Sequence, residues 1–164
     1  MAGDVLDRDW QVVNDTVMGG VSSGSVTRTD DGLRFTGELS LESNGGFVSI
    51  RTAPSDLNLD GATALKVTVR GEARTWQLTA HREDVRLRAG SYRAPVTVTE
   101  EASTVTVPLS RFRAHSFGRP VEGAPPLQQR PEHIHQLGFL LSDGDPGPFR
   151  LEVLAIDAVR ESSP

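Results

Sequence analysis

The sequence predicts an all-β protein, an antiparallel sandwich, with the jelly roll the commonest version at this number of strands. Three observations lead there. Apolar and polar residues alternate with period two in run after run, clusters of glycine, proline, asparagine and aspartate separate the runs, and scarcely any stretch has helical spacing. At 164 residues the chain has the size of one domain, so a single sandwich is expected over residues 1–164.

Taken in order, residues 14–25 read Asn-Asp-Thr-Val-Met-Gly-Gly-Val-Ser-Ser-Gly-Ser, too glycine-rich for a plain strand and too apolar for a solvated linker. An ordered loop packed on the body is expected. Asp30, Asp31 and Gly32 then turn the chain into a run where Leu33, Phe35, Gly37, Leu39 and Leu41 alternate with Arg34, Thr36, Glu38 and Ser40. Further strands are expected over 47–51, 65–70, 75–82, 92–98, 104–109, 136–142 and 149–159. Between them lie turn clusters at 43–46, 54–56 and 143–148, where glycine supplies positive φ and proline removes a ladder donor. Residues 110–131, with Pro120, Pro125, Pro126 and Pro131, read as a long irregular loop, the kind that binds, covers a site or moves.

Composition excludes several functions. No cysteine is present, which removes thiol catalysis, disulfide frameworks and thiolate metal sites. No run approaches the ~20 apolar residues of a membrane span, and the first ten residues carry acids where a secretory signal has an apolar core. The expectation is a cytoplasmic protein without membrane insertion. The net charge of −5 is spread evenly and no basic run occurs, so nucleic acid is not the expected partner.

Short catalytic and metal patterns are weak by the same reasoning. Gly20-Val21-Ser22-Ser23-Gly24 fits G-x-S-x-G, but a nucleophile elbow opens a helix, and residues 25–29 favour a strand. The glycines lack the Lys-Ser/Thr of a phosphate loop. His133 and His135 would share one side of a strand, yet two histidines alone more often mark a solvated strand entry. Asp143-Gly144-Asp145 offers oxygens to a structural calcium, the one cofactor the sequence leaves open, although the same triplet is ordinary turn chemistry. The expectation is that the protein is not an enzyme.

The most suggestive physical feature is a polar sheet face. Alternation puts Leu65, Val67, Val69, Trp76, Leu78 and Ala80 inward, leaving Lys66, Thr68, Arg70, Gln77, Thr79 and His81 opposite, extended by Ser49, Arg51 and Arg93. Such a face is either merely hydrated or presents a groove to sugars or peptides. A stacking platform for sugar rings would have to come from Trp10, Trp76 or Tyr92.

The run Trp10-Gln-Val-Val-Asn-Asp-Thr-Val-Met-Gly-Gly-Val-Ser-Ser-Gly24, followed by Leu33-x-Phe35-x-Gly37-x-Leu39-Ser40-Leu41-Glu42-x-Asn44-Gly45-Gly46-Phe47-x-Ser49-x-Arg51, resembles the complex I intermediate-associated protein family of thirty-kilodalton assembly factors. Leu137-Gly138-Phe139-Leu140-Leu141 and Gly147-Pro148-Phe149-x-Leu151-Glu152-Val153 resemble its closing strands, so the likeness covers nearly the whole chain. It implies a galactose-binding-like jelly roll, related in architecture to carbohydrate-binding modules. It also implies a chaperone-like role, because mitochondrial members assist assembly of respiratory complex I and plant relatives serve photosynthetic complexes or their messenger RNA.

The residues matching that signature are the binding candidates: Asn14, Asp15, Met18, Gly19, Gly20, Ser22, Ser23, Asn44, Gly45, Gly46, Phe47 and Arg51, joined by Gln77 and His81 from the polar face. A second role is open to them, since Asn and Gly set turns while Met18 and Phe47 can plug the end of a sandwich. The two glycine clusters are expected to meet at one end. The functional expectation is a non-enzymatic, chaperone-like interaction module for an as yet unidentified protein partner, such as a subunit of a respiratory or other membrane-associated complex. The alternative is a carbohydrate or small-ligand domain working through the polar face.

Overall fold

The computed structural model describes residues 5, 9–14, 22–42, 46–87, 90–116 and 119–160. The strands are β1 (Trp10–Asn14), β2 (Ser23–Thr29), β3 (Gly32–Leu39), β4 (Val48–Thr52), β5 (Ala62–Gly71), β6 (Arg74–Arg82), β7 (Gly90–Val98), β8 (Ser103–Pro108), β9 (Arg113–Ser116), β10 (Arg119–Pro120), β11 (Ile134–Leu141) and β12 (Gly147–Arg160). They form a seven-stranded sheet, ordered β1-β4-β11-β6-β7-β9-β10, and a five-stranded sheet, ordered β2-β3-β12-β5-β8. Every pairing is antiparallel, as the sequence pattern predicts.

Period-two alternation supplies the core. Leu33, Phe35 and Leu39 of β3, Trp76, Leu78 and Ala80 of β6, and Tyr92, Ala94, Val96 and Val98 of β7 all point inward and are buried. β12 keeps its apolar face inward through a bulge. Val153 pairs with Val69 and Ala155 with Thr68, so the extra residue lets Val153 and Ile156 both face the core. At the centre Phe35 and Phe149 of one sheet meet Trp76 of the other edge-on, with ring centroids 4.9 to 5.9 Å apart. Each such pair adds about 0.5 to 1.5 kcal/mol beyond area burial.

The glycines near the chain start are there for packing. A Cβ on Gly24 would lie 2.6 Å from the Phe35 ring, and one on Gly37 would lie 2.0 Å from the Ser23 carbonyl oxygen. Both belong to a close β2–β3 pairing, Gly24 opposite Gly37. The loop expected over 14–25 is therefore shorter at both ends: Asn14 ends β1, and Ser23, Gly24 and Ser25 open β2.

Two further expectations are corrected. Residues 110–131 are not wholly irregular, because β9 and β10 extend the seven-stranded sheet through them. The proline-rich part is tied down: Tyr92 Oη donates to the Pro125 carbonyl at 2.6 Å, Arg82 Nη1 donates to the Pro126 carbonyl at 3.0 Å, and Leu127 is fully buried. The single polar face is in fact two. β5 and β6 are consecutive but lie in different sheets, so Lys66, Thr68 and Arg70 face out on the opposite side from Gln77, Thr79 and His81. The short connection crosses from one sheet to the other at Gly71, where a Cβ would lie 2.1 Å from the Arg150 carbonyl oxygen.

The turn after β11 is held by Arg74. Its Nε and Nη2 donate to Asp143 at 3.0 and 2.8 Å, and it also donates to the carbonyls of Asp145 and Pro148. A guanidinium thus supplies the positive charge at the triplet considered for calcium. Because the Arg74 side chain is only 5% exposed, Asp143→Ala would leave a buried cation unpaired. We expect that substitution to lower stability by about 3 kcal/mol in urea unfolding.

Candidate functional site

The outward face of the seven-stranded sheet is built by strand register. Pairings Gln11 with Arg51, Arg51 with Gly138, Gly138 with Thr79, Thr79 with Arg93 and Arg93 with Arg113 make one continuous row across six strands. A neighbouring row runs Val13, Ser49, Leu140, Gln77, Pro95. On the other side of the main row, Gln136 pairs with His81. Register therefore assembles Arg51, Gln77 and His81 with Arg93, as one surface.

Gly138 shapes its floor. A Cβ there would sit 2.8 Å from both the Arg51 Cβ and the Thr79 hydroxyl, and 2.4 Å from the Ile50 carbonyl oxygen. With Gly138 and Thr79 buried and Arg51 and Arg93 only half-buried, the middle of the row is lower than its arginine-bearing flanks.

The electrostatics are one-sided. Among the described residues neither Arg51 nor Arg93 has an ion-pair partner, and Arg93 Nε donates to Ser91 Oγ at 3.3 Å. Burial without a carboxylate pushes both guanidiniums below their ordinary pKa. Arg113, directly opposite Arg93, donates to the carbonyls of Ser110 and Phe112. The other outer face is neutralised by contrast: Glu152, almost buried, is surrounded by Arg34, Arg70 and Arg150.

His81 lies within this cationic field. Its Nε2 is 2.9 Å from the Gly90 carbonyl oxygen, which can only accept, so Nε2 carries the proton in the neutral ring. Nδ1 is then a bare acceptor, buried and without a partner among the described residues, as is Nδ1 of His135. Burial first, then the charge of Arg51, pushes the His81 pKa down to about 4, with His135 and Arg93 adding to the effect. The ring is neutral above that value.

The remaining candidates divide. Asn14 ends β1 opposite Val48, and Gly46 and Phe47 lead into β4, so these lie at the same sheet edge as Arg51. Gly46 has φ +132°, which favours glycine. Ser22 is buried and away from the face: its hydroxyl accepts from the Ser40 amide at 2.8 Å and donates to the Ser40 carbonyl at 3.1 Å. Ser23 belongs to β2 of the other sheet. Asp15, Met18, Gly19, Gly20, Asn44 and Gly45 lie outside the described residues, and so does the expected meeting of Gly20 with Gly45. Their described flanks do adjoin, Asn14 beside Val48 and Ser22 bonded to Ser40.

None of the three rings considered for a sugar platform stands free on this face, and the half-buried Phe47 lies just before β4. Trp76 and Tyr92 are core residues, and Trp10 stacks on Phe139 of the core at 6.3 Å. Sequence reasoning missed Gly138 and Gln136. A glycine inside an apolar strand was the available signal for Gly138, since it marks a close approach. For Gln136, whose amide donates to the Thr52 carbonyl at 2.7 Å, the bulge between Ile134 and Gln136 hid the face.

Nearly the whole of this architecture is covered by one family profile, that of complex I intermediate-associated protein 30, which matches residues 3–153. The chain belongs to that family. No curated protein sequence matches it significantly. Among solved structures this family member is similar to the family 11 carbohydrate-binding module of the cellulosomal cellulase Lic26A-Cel5E of Clostridium thermocellum, with TM-score 0.60 and 12% identity over 95% of this chain and 91% of that one. The same Clostridium thermocellum module in complex with a β-1,3-1,4-mixed-linked tetrasaccharide gives TM-score 0.58 and 11% identity over 93% and 91%. The family 30 module of Cel9D-Cel44B from the same organism gives 0.57 and 13% over 99% of each chain. At such identities the likeness establishes the fold, a β-sandwich of the galactose-binding-like type. Among the described residues no helix is long and apolar enough to cross a membrane.

Two outcomes follow from the site. His81 binds a proton in the unfolded chain near pH 6.5 but only near 4 when folded, so the unfolded state gains protons in between. Stability should therefore fall as pH drops from about 6.5 to about 4, and His81→Gln should flatten that stretch of a melting-temperature profile. Ser22→Ala removes an acceptor from the Ser40 amide and should cost about 1 to 2 kcal/mol, read by urea unfolding.

Proposed function

We propose that the protein is a non-catalytic binding module, an assembly-factor or chaperone-like domain that holds a protein partner on the outward face of its seven-stranded sheet. Membership of the complex I intermediate-associated protein 30 family supports a role in assembling a respiratory or other membrane-associated complex. The observation that carries the reading is the row Arg51–Gly138–Thr79–Arg93, where two half-buried arginines flank a low floor without an ion-pair partner among the described residues. Desolvated cations of this kind are costly in the isolated molecule and favourable once a partner supplies acceptors.

Carbohydrate binding is the second reading. The structural neighbours favour it, since they are carbohydrate-binding modules, one of them in complex with a tetrasaccharide. The inward packing of Trp10, Trp76 and Tyr92 counts against it, because sugar rings are commonly held on exposed aromatic faces. A non-catalytic role is supported by Ser22, whose hydroxyl is engaged with Ser40 and is followed by a strand.

The test is affinity capture from native lysate with wild-type and Arg51→Ala protein, beside a glycan array. We expect Arg51→Ala to lose captured proteins while stability changes by no more than about 0.5 kcal/mol. Unchanged capture, or array binding by a neutral glycan that Arg51→Ala abolishes, would reject the protein-partner reading.

A further inference from the structure

We propose that the row Arg51, Gly138, Thr79, Arg93 is a carboxylate-binding strip that receives an extended acidic segment of a protein partner, with acidic side chains four residues apart over the two arginines. The inference rests on the reading of this face as the working surface and names the chemistry of what it holds.

Spacing is the first support. Arg51 is on β4 and Arg93 on β7, with β11 and β6 between them in one ladder row, which is three strand spacings. At ~4.8 Å per strand that is about 14 Å. An extended peptide rises ~3.4 Å per residue and puts every second side chain on one side, so residues i and i+4 also stand about 14 Å apart. Residue i+2 then falls over Gly138 and Thr79, where the floor is low and a Thr hydroxyl is at hand.

Charge is the second support. The two arginines bring positive charge to the row, and among the described residues no carboxylate lies in ion-pair range of either. A guanidinium pairs with a carboxylate through a planar fork, which gives direction as well as attraction. In the next row Val13, Ser49, Gln77 and Pro95 offer aliphatic carbon and an amide beside the strip, around the buried Leu140. Those surfaces suit the remaining side chains and main chain of a peptide, whereas Trp10, Trp76 and Tyr92 pack inward and offer no ring to a sugar.

His81 couples the strip to pH. The groups acting on its ring are Arg51 from β4, His135 from β11, Arg93 from β7 and the Gly90 carbonyl. Burial, the largest cause of the low His81 pKa, stays in the complex, and carboxylates placed over Arg51 and Arg93 would offset only the two arginine charges that add to it. The His81 pKa then rises above about 4 while burial keeps it below its ordinary value, and binding takes up a fraction of a proton at Nδ1 in that range. Affinity should increase as pH falls from about 6.5 to about 5.5, where glutamate carboxylates remain ionised.

The experiment uses the full chain and four probes: the capped peptide Glu-Ser-Gly-Ser-Glu, its counterpart with Gln in place of Glu, trigalacturonate, and a neutral mixed-linkage tetrasaccharide. Binding is followed by NMR titration of arginine and histidine side-chain signals, and proton uptake by calorimetry in two buffers of different ionisation enthalpy. We expect the Glu peptide to bind with net proton uptake at about pH 5.5, Arg51→Gln and Arg93→Gln each to weaken it about tenfold, and His81→Gln to abolish the uptake. The Gln peptide should not saturate. Amide spectra report folding of each variant, and the Glu-against-Gln comparison in wild type stands even if a variant unfolds. Equal binding of both peptides, no binding of the Glu peptide at millimolar concentration, or preference for either sugar would overturn the proposal. Failure here together with loss of captured protein in Arg51→Ala leaves the face as the working surface and rejects only its acidic ligand. Peptide binding with unchanged capture does the reverse.

Discussion

The contact on which the two sheets depend is the aromatic junction of Phe35, Trp76 and Phe149. Two of its rings belong to the five-stranded sheet and one to the seven-stranded sheet, and the three meet edge-on at centroid distances below 6 Å. The junction fixes which side of β3, β6 and β12 faces inward, and period-two geometry carries that choice along each strand. Gly24 follows from it directly, because the Phe35 ring occupies the space where a Cβ would project. The bulge in β12 keeps the junction's strand in phase, so Ile156 still reaches the core beyond Val153.

Sending the large aromatics inward determines what is left outside. With Trp76 and Tyr92 buried and Trp10 stacked on Phe139, the polar side chains left on the outer face of the seven-stranded sheet are arginine, histidine, glutamine, threonine and serine. The two outer faces then differ in how their arginines are treated. On the five-stranded side Glu152 gathers Arg34, Arg70 and Arg150, and its carboxyl is held below the usual range by Arg70. On the seven-stranded side Arg51 and Arg93 lose hydration without gaining a carboxylate among the described residues. A structural network accounts for the first set. Among the described residues no comparable network accounts for the second set.

Much of this was legible in the sequence because strand periodicity is local. The alternation of Leu33, Phe35 and Leu39, and of Trp76, Leu78 and Ala80, correctly identified buried faces from side chains two apart, whereas Leu41, read into the first run, lies beyond the end of β3 and is exposed. What periodicity cannot carry is which strands share a sheet. Lys66, Thr68 and Arg70 read as neighbours of Gln77, Thr79 and His81, yet the crossing at Gly71 sends them to opposite sides of the sandwich. Register across strands is equally non-local, so Arg51, Gly138, Thr79 and Arg93 come together from positions spread over almost ninety residues without a sequence motif to announce them. Ser22 shows the reverse case. It belongs to a conspicuous motif, but its bonds to Ser40 give it a structural task.

The central claim, that function resides on the outward face of the seven-stranded sheet and not on the opposite face, is tested most directly by photocrosslinking in living cells. A benzophenone amino acid would replace Gln77 or Thr97 on one face and Thr68 or Thr104 on the other, four positions chosen from strand register. The account predicts protein adducts from Gln77 and Thr97 that disappear when Arg51→Ala is added, with none from Thr68 or Thr104. Adducts formed from Thr68 and Thr104 alone would contradict it.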